Sequence, residues 1–159
     1  MNAAAKRFFS VDEAASRLPL VRSIVSDIVE LYRDIHDRQS RLTRVLELRG
    51  ETDRHVSRLY AEELEEMERE LENDLSRLDS FVDELEELGV ELKDPHAGLV
   101  DFHTWINGRE ACLCWQLGEP EIQYWHEVDA GYGGRQSLQD GTVDPVHDFT
   151  GNDFREDLL

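Results

Sequence analysis

The sequence contains no run of about 18 apolar residues, the length that a membrane-spanning helix needs. The amino-terminal stretch includes Lys6 and Arg7 but no apolar core of signal-peptide length. Neither a transmembrane helix nor a secretory leader is expected. The sequence therefore predicts a cytoplasmic protein.

Cysteine is scarce, since the 159 residues include only Cys112 and Cys114. If both lie in one strand, their side chains point the same way and stand about two residue rises apart. That arrangement is poor for an intramolecular disulfide. Two reduced thiols are expected, in keeping with a reducing compartment.

Cations are also few, with 17 Lys and Arg against 36 Asp and Glu and a net charge of -19. Such a balance argues against affinity for nucleic acid or for an anionic membrane, because a binder of either needs a basic face. The charge is uneven: residues 53–88 hold 14 acids and 4 arginines, whereas residues 19–49 hold 5 acids and 6 arginines. The two segments can attract each other.

Apolar residues recur in both of these segments at about 3.6 residues per step, which is the period of one face of an α-helix. In the second segment they are Tyr60, Leu64, Met67, Leu71, Leu75, Leu78, Val82 and Leu85. Ser10 and Glu13 form a capping-box pattern that predicts a short helix from Val11. We expect Pro19 to end or offset it, and the two long helices to end near Gly50 and Gly89.

After Gly89 the pattern changes to period two. Ala111, Leu113, Trp115 and Leu117 alternate with Glu110, Cys112, Cys114 and Gln116, which predicts a half-buried strand. A second strand over residues 121–128 would pair with it as an antiparallel hairpin. Shorter strands are expected at residues 90–92 and 99–103, with turns at residues 94–95 and 107–108.

These patterns predict an α+β protein with a short N-terminal helix, a long antiparallel helical hairpin and a small C-terminal antiparallel sheet. The expected division is residues 1–89 for the hairpin, 90–138 for the β lobe and 139–159 for an acidic, mobile tail. In a helical hairpin without further partners, part of the apolar stripe of each helix would remain exposed to solvent. We therefore expect a homodimer, or the β lobe docked on the helices.

A metal site is the sharpest chemical hypothesis. Oxygen, nitrogen and sulfur donors lie within 34 residues, at Asp94, His96, Asp101, His103, Cys112, Cys114, His126 and Glu127. Zinc takes such ligands in tetrahedral sets. No pair has the C-x₂-C spacing of common structural zinc sites, and the alternative is that the cysteines are small half-buried hydrophobes. The candidate ligands of a divalent metal such as zinc are Asp101, His126 and Glu127.

A small anionic ligand is the second hypothesis. Gly131, Gly133 and Gly134 run into Arg135, and successive backbone amides of a glycine-rich loop can form an anion-binding concavity. The candidate ligand-binding residues are Arg109, Trp125, His126 and Arg135. The alternative is an ordinary turn in which Arg135 pairs with a neighbouring acid.

The β lobe contains several short motifs: Leu92-Lys93-Asp94-Pro95, Gly98-Leu99-Val100-Asp101-Phe102, Leu113-Cys114-Trp115, Leu117-Gly118-Glu119-Pro120 and Trp125-His126-Glu127. These motifs resemble a bacterial family known as domain of unknown function 2203. The opening Phe9-Ser10-Val11-Asp12-Glu13-Ala14 is also similar. The resemblance spans the chain to Leu138 and implies helices first and a strand lobe second. It implies no activity.

Two functions are compatible with these patterns. The leading hypothesis is a non-enzymatic assembly or adaptor protein that acts through its helical hairpin, paired as in a coiled coil, as a homodimer. The alternative is a small-ligand or metal-binding protein, in one form a hydrolase, with a pocket in the β lobe around His126 and Arg135.

Overall fold

The structure is a computed structural model that describes residues 6–49 and 54–139. Two helices precede five strands, a 3₁₀ turn lying before the last strand. The elements are α1 (Val11–Arg49), α2 (Arg54–Glu87), β1 (Val90–Asp94), β2 (Leu99–Ile106), β3 (Arg109–Gln116), β4 (Tyr124–Glu127), the 3₁₀ turn (Tyr132–Gly134) and β5 (Gln136–Ser137). The predicted α+β class, with a helical hairpin followed by an antiparallel sheet, is confirmed. Gly50 and residues 140–159 of the expected tail lie outside the described residues.

Helix α1 begins with the predicted capping box. The Ser10 amide donates to Glu13 Oε1 at 2.9 Å, and the Glu13 amide donates to Ser10 Oγ at 3.1 Å. The expected break at Pro19 is wrong, because α1 continues through it. Pro19 lies on the exposed side of the helix, where water can satisfy the carbonyl that loses its amide donor. Leu18 and Val21, on either side of Pro19, are buried in the main core, and their packing favours a continuous helix.

The hairpin has a different interior at each end. Near the sheet, α1 up to Val29 and α2 from Leu78 onward contribute to the main core. Farther out, a small second cluster contains buried Val45, Leu64 and Met67 with half-buried Leu42. Between the two, Arg38 Nε lies 2.7 Å from Asp74 Oδ2, and Asp74 is only 7% exposed. Arg38, which interrupts the apolar stripe of α1, is thus paired across the hairpin.

Helix α2 ends as its glycine predicts. Gly89 adopts φ 88°, and its amide donates to the Glu86 carbonyl at 2.9 Å. A left-handed residue after the last turn costs glycine little and turns the chain sharply. The chain then enters β1 directly at Val90. None of the described helices is apolar over a stretch that would cross a bilayer.

The five strands form one antiparallel sheet in sequence order. A two-residue turn joins β2 to β3, with Asn107 at φ 55° and Gly108 at φ 74°. This turn sets the register, so that Ile106 pairs with Arg109 and Asp101 pairs with Cys114. The β3–β4 hairpin is also as predicted, with Cys112 opposite His126.

One face of the sheet packs on the hairpin. Paired residues of an antiparallel ladder share a face, so the inner face carries Phe102, Leu113 and Trp125 in one row and Val100 with Trp115 in the next. These side chains meet α1 and α2 in the main core. Phe9 joins them, its ring edge-on to Phe102 at 5.4 Å. The outer face of the sheet is therefore the one that points away from the helices.

Candidate metal centre

The outer face of the sheet carries the titratable side chains. Two adjacent rows cross the strands, consisting of Glu91, Asp101, Cys114 and Tyr124 in one row and His103, Cys112 and His126 in the other. The half-buried β3 that the sequence predicted is buried on both sides, since Cys112 and Cys114 are 3% and 0% exposed. Polar groups buried on this scale need partners.

Asp101, Cys114 and His126 form the centre of this face. Their ligand atoms all lie within 4.8 Å of one another, and each residue is buried. Three different strands supply them: β2, β3 and β4. Among the described residues, this is the one group of three such side chains close enough to hold a metal ion.

The hydrogen bonds of His126 fix its orientation. Nδ1 lies 2.7 Å from the Glu127 carbonyl oxygen, and because that oxygen only accepts, Nδ1 carries a proton. Nε2 therefore faces Asp101 Oδ1, at 3.0 Å. The hydrogen bonds to Asp101 and Cys114 raise the pKa of His126 to about 10, against the opposing effect of burial. At neutral pH His126 therefore keeps a proton on Nε2, which it donates to Asp101 Oδ1.

Arg135 covers Cys114 from above the sheet. Its Nε donates to Cys114 Sγ at 3.3 Å, and its Nη2 donates to the Cys114 carbonyl at 3.2 Å. The guanidinium also binds both carboxylate oxygens of Glu119, at 2.7 and 2.8 Å, and lies between the rings of Tyr124 and Tyr132. This explains why the outer face is covered at β3.

The Arg135–Glu119 pair is electrostatically matched. Burial opposes the charged form of Glu119, but the hydrogen bonds from Arg135 and the Gln116 amide outweigh it, and the pKa of Glu119 is lowered. The pKa of Arg135 is raised, because its bonds to Glu119 and Cys114 outweigh burial. The two charges cancel each other beside the cluster of Asp101, Cys114 and His126.

A cleft of about 550 Å³ opens beside the cluster. Its lining includes Asp101, His103 and Cys112, so it reaches the buried carboxylate from solvent. Cys112 Sγ lies 3.9 Å from His103 Nδ1. Burial, followed by the charges of Asp101 and Glu91, raises the pKa of Cys112 to about 12. This sulfur is therefore a thiol at neutral pH.

The predicted metal ligands are only partly brought together. Asp101 and His126 meet, but the Glu127 side chain turns away and accepts from Arg109 Nη2 at 2.8 Å. Adjacent residues of a strand point to opposite faces, which separates Glu127 from His126. The third donor is Cys114. The sequence signal that could have identified Cys114 is the two-residue Asn107–Gly108 turn, because this turn sets the β2–β3 register in which Asp101 pairs with Cys114.

The predicted anion-binding residues are dispersed. Trp125 belongs to the main core on the inner face of the sheet, whereas its neighbour His126 lies on the outer face. Arg109 is exposed and paired with Glu127. Arg135 has the acidic partner that the alternative interpretation expected, Glu119. The nitrogens of Arg135 already donate hydrogen bonds to Cys114 and Glu119. Its role in binding an anion stays a prediction.

Comparison with known proteins places the chain in a family without assigning it an activity. The chain has no match among curated proteins or among solved structures. The model of the family described as "Uncharacterized conserved protein (DUF2203)" matches residues 7–138. This range includes both helices, the whole sheet and every residue of the buried cluster. The chain therefore belongs to the DUF2203 family.

Proposed function

We propose that this chain is a metal-binding protein that holds a divalent cation such as zinc between Asp101, Cys114 and His126. The observation that carries the proposal is the convergence of carboxylate, thiol and imidazole donors, all buried, within 4.8 Å of one another. Zinc bonds of about 2.0–2.3 Å in a tetrahedron place ligand atoms about 3.3–3.8 Å apart. Small side-chain rotations suffice to reach these separations.

The hydrogen bonds around the cluster suit a metal. A metal-binding histidine commonly donates its other ring N–H to a carbonyl or carboxylate, which leaves the free nitrogen aimed at the ion. His126 does so through Nδ1 to Glu127. Arg135 Nε donates to Cys114 Sγ, which stabilises the deprotonated sulfur that a metal requires.

Charge also balances in the metal-loaded state. A divalent cation cancels the carboxylate of Asp101 and the thiolate of Cys114, while neutral His126 completes the set. Glu119 already compensates Arg135. A buried site of zero net charge avoids the cost of isolated buried ions. Three protein ligands leave one position open, as in catalytic zinc sites, and the cleft at Asp101 gives a ligand or water a route to it.

Elemental analysis of protein purified without chelator, followed by competitive titration with a chromophoric chelator, tests this proposal. We expect zinc in stoichiometric amount. Asp101→Asn and Cys114→Ser are expected to weaken zinc binding at least about 100-fold, since even outer-shell partners are worth about 10–100-fold. Cobalt substitution should give a thiolate-to-cobalt charge-transfer band that Cys114→Ser weakens.

Glu127→Gln is the matched control, because Glu127 adjoins His126 but its side chain bonds to Arg109. This variant should retain wild-type zinc affinity. Substoichiometric metal in the wild-type protein, or equal losses in Glu127→Gln and Asp101→Asn, would contradict the proposal.

We also propose that the outer end of the hairpin mediates homodimerisation, as expected for an assembly or adaptor protein. Two observations favour this second function. Among the residues whose burial the structure describes, the outer cluster has three buried members, Val45, Leu64 and Met67. Leu46 and Leu48, on the same end of α1, are 50% and 42% exposed. Residues two apart on a helix point to different sides. A second copy packed on either flank of the hairpin would therefore cover one of these leucines.

Light scattering over micromolar concentrations tests this second proposal. A dimer is expected for the wild-type protein, and Leu46→Glu with Leu48→Glu should convert it to a monomer. Leu20→Glu is the control, since Leu20 is 53% exposed at the opposite end of α1 and should leave the dimer intact. A monomeric wild-type protein would exclude the interface.

A further inference from the structure

The cleft beside the buried cluster is lined by charges of both signs in equal number. Three cations and three acids contribute to it: Lys6, Arg7, Lys93, Glu86, Glu91 and Asp101. The whole chain has a net charge of -19, so this balance sets the cleft apart from the rest of the protein. Its volume of about 550 Å³ suits a small molecule, since ligand pockets measure about 300–1,000 Å³.

Two of these six charged side chains differ from the other four in having no ion-pair partner. The pairs that involve the other four are Lys6 with Glu110, Lys93 with Glu91, and Asp101 with His126. Within the described part of the chain, Arg7 and Glu86 have no such partner and do not pair with each other. A ligand that offers a carboxylate to Arg7 and an ammonium group to Glu86 would satisfy both.

Contacts at the junction of α2 and β1 hold Arg7 close to Glu86. The stem of Arg7 crosses Gly89, where an added Cβ would lie 2.8 Å from Arg7 Cδ. The guanidinium carbon of Arg7 lies 5.3 Å from the centre of the Phe9 ring. The Gly89 amide donates to the Glu86 carbonyl at 2.9 Å, so Glu86 is within one helical turn of the residue that Arg7 covers. The two charged groups are therefore neighbours, and packing of the Arg7 stem reduces the cost of ordering it on binding.

The cleft also has an apolar wall. Val90, Cys112 and Val128 line it. Val128 is 48% exposed, whereas the raised pKa of Cys112 keeps its sulfur an uncharged thiol. The apolar part of a ligand would remove the surface of Val128 from water, which favours binding.

We infer that this cleft binds a small zwitterion with an apolar side chain, which is the chemistry of an α-amino acid or a short peptide. Arg7 binds the carboxylate of the ligand and Glu86 binds its ammonium group. Val90 and Val128 contact the apolar side chain. The inference goes beyond the proposed metal site, because neither Arg7 nor Glu86 is a ligand of the metal.

Isothermal titration calorimetry with three matched probes tests the inference: leucine, N-acetyl-leucine, which lacks the ammonium group, and leucinamide, which lacks the carboxylate. Leucine should bind at least about 10-fold more tightly than either blocked probe, because each of these leaves one charged side chain without a partner. Arg7→Gln should weaken binding of leucine and N-acetyl-leucine but not of leucinamide. Glu86→Gln should weaken binding of leucine and leucinamide but not of N-acetyl-leucine.

Two substitutions provide matched controls, and both should leave the affinity for leucine unchanged. In Arg17→Gln the lost guanidinium also lies over the Phe9 ring, at 5.9 Å, but Arg17 is outside the cleft lining. In Glu87→Gln the lost carboxylate adjoins Glu86 in the chain and is likewise outside the lining. Far-ultraviolet circular dichroism checks that each variant is folded.

Cys114→Ser separates this site from the metal site, because Cys114 is a proposed metal ligand that does not line the cleft. This variant should keep the wild-type affinity for leucine. Leucine binding that Cys114→Ser removes and Arg7→Gln preserves would place the amino acid on the metal and overturn the inference. Equal affinities for the three probes, or no binding of leucine at millimolar concentration, would overturn it as well.

Discussion

Raising the pH should destabilise the metal-free protein in two stages, beginning with His126. Its pKa is raised from 6.5 to about 10, chiefly by the hydrogen bond to Asp101. Between these values the folded protein keeps a proton that the unfolded chain has lost. The stabilisation is thus complete below about pH 6.5 and disappears as the pH rises through about 10. One proton corresponds to a loss of about 1.4 kcal/mol per pH unit.

Cys112 adds a second stage at higher pH. Burial and the charges of Asp101 and Glu91 raise its pKa from 9.0 to about 12. Above about pH 9, the unfolded chain loses a thiol proton that the folded protein retains. Two retained protons give a slope of about 2.7 kcal/mol per pH unit. The stability curve should therefore bend downward near pH 9.

Urea unfolding in half-unit pH steps from 7 to 10.5, with chelator and reducing agent present, measures both slopes. Asp101→Asn should flatten the curve below pH 9, because His126 then has no carboxylate partner. Cys112→Ala should keep the first slope and remove only the bend. A wild-type curve that is flat between pH 7 and 9 would refute the reasoning about the Asp101–His126 pair.

Three further predictions concern the fold. Leu113→Ala, at a fully buried core position, should lower the free energy of unfolding by about 2–5 kcal/mol in urea titrations. Gly98→Ala should cost about 1–3 kcal/mol more than Gly108→Ala. Both glycines have φ 74°, but a Cβ at Gly98 would lie 2.8 Å from the Leu117 side chain, whereas Gly108 has open space. The lowered pKa of Glu119 contributes stability above about pH 4.5 that is lost on acidification, so Glu119→Gln should flatten the acid limb of the pH–stability curve.

Local signals in the sequence predicted the helix ends and turns. Each of these signals depends on residues that are close together in the sequence, so it can be identified without knowing the fold. They are the Ser10–Glu13 capping box, the left-handed Gly89 and the Asn107–Gly108 turn. Pro19 was misleading for the same reason. Its local preference for ending a helix was outweighed by burial of neighbouring side chains on the sheet and α2.

The candidate site was predicted less completely because it depends on register and on distant chain. Asp101 and His126 were named from the sequence, but Cys114 joins them only once the β2–β3 turn fixes which residues pair. Burial of the outer face was not predicted either. Arg135 reaches Cys114 and Glu119 from the segment after β4, and no short-range pattern encodes these contacts.

The Arg38–Asp74 contact has a consequence for how the hairpin assembles. It lies between the two apolar clusters of the hairpin, whose hydrophobic contacts are not directional. Sliding one helix along the other by a single turn would take Arg38 away from Asp74 and leave this buried carboxylate with Arg77 of its own helix, 3.8 Å away. Breaking a buried ion pair is destabilising. The Arg38–Asp74 ion pair therefore favours the observed alignment of α1 and α2 over alignments shifted by a turn.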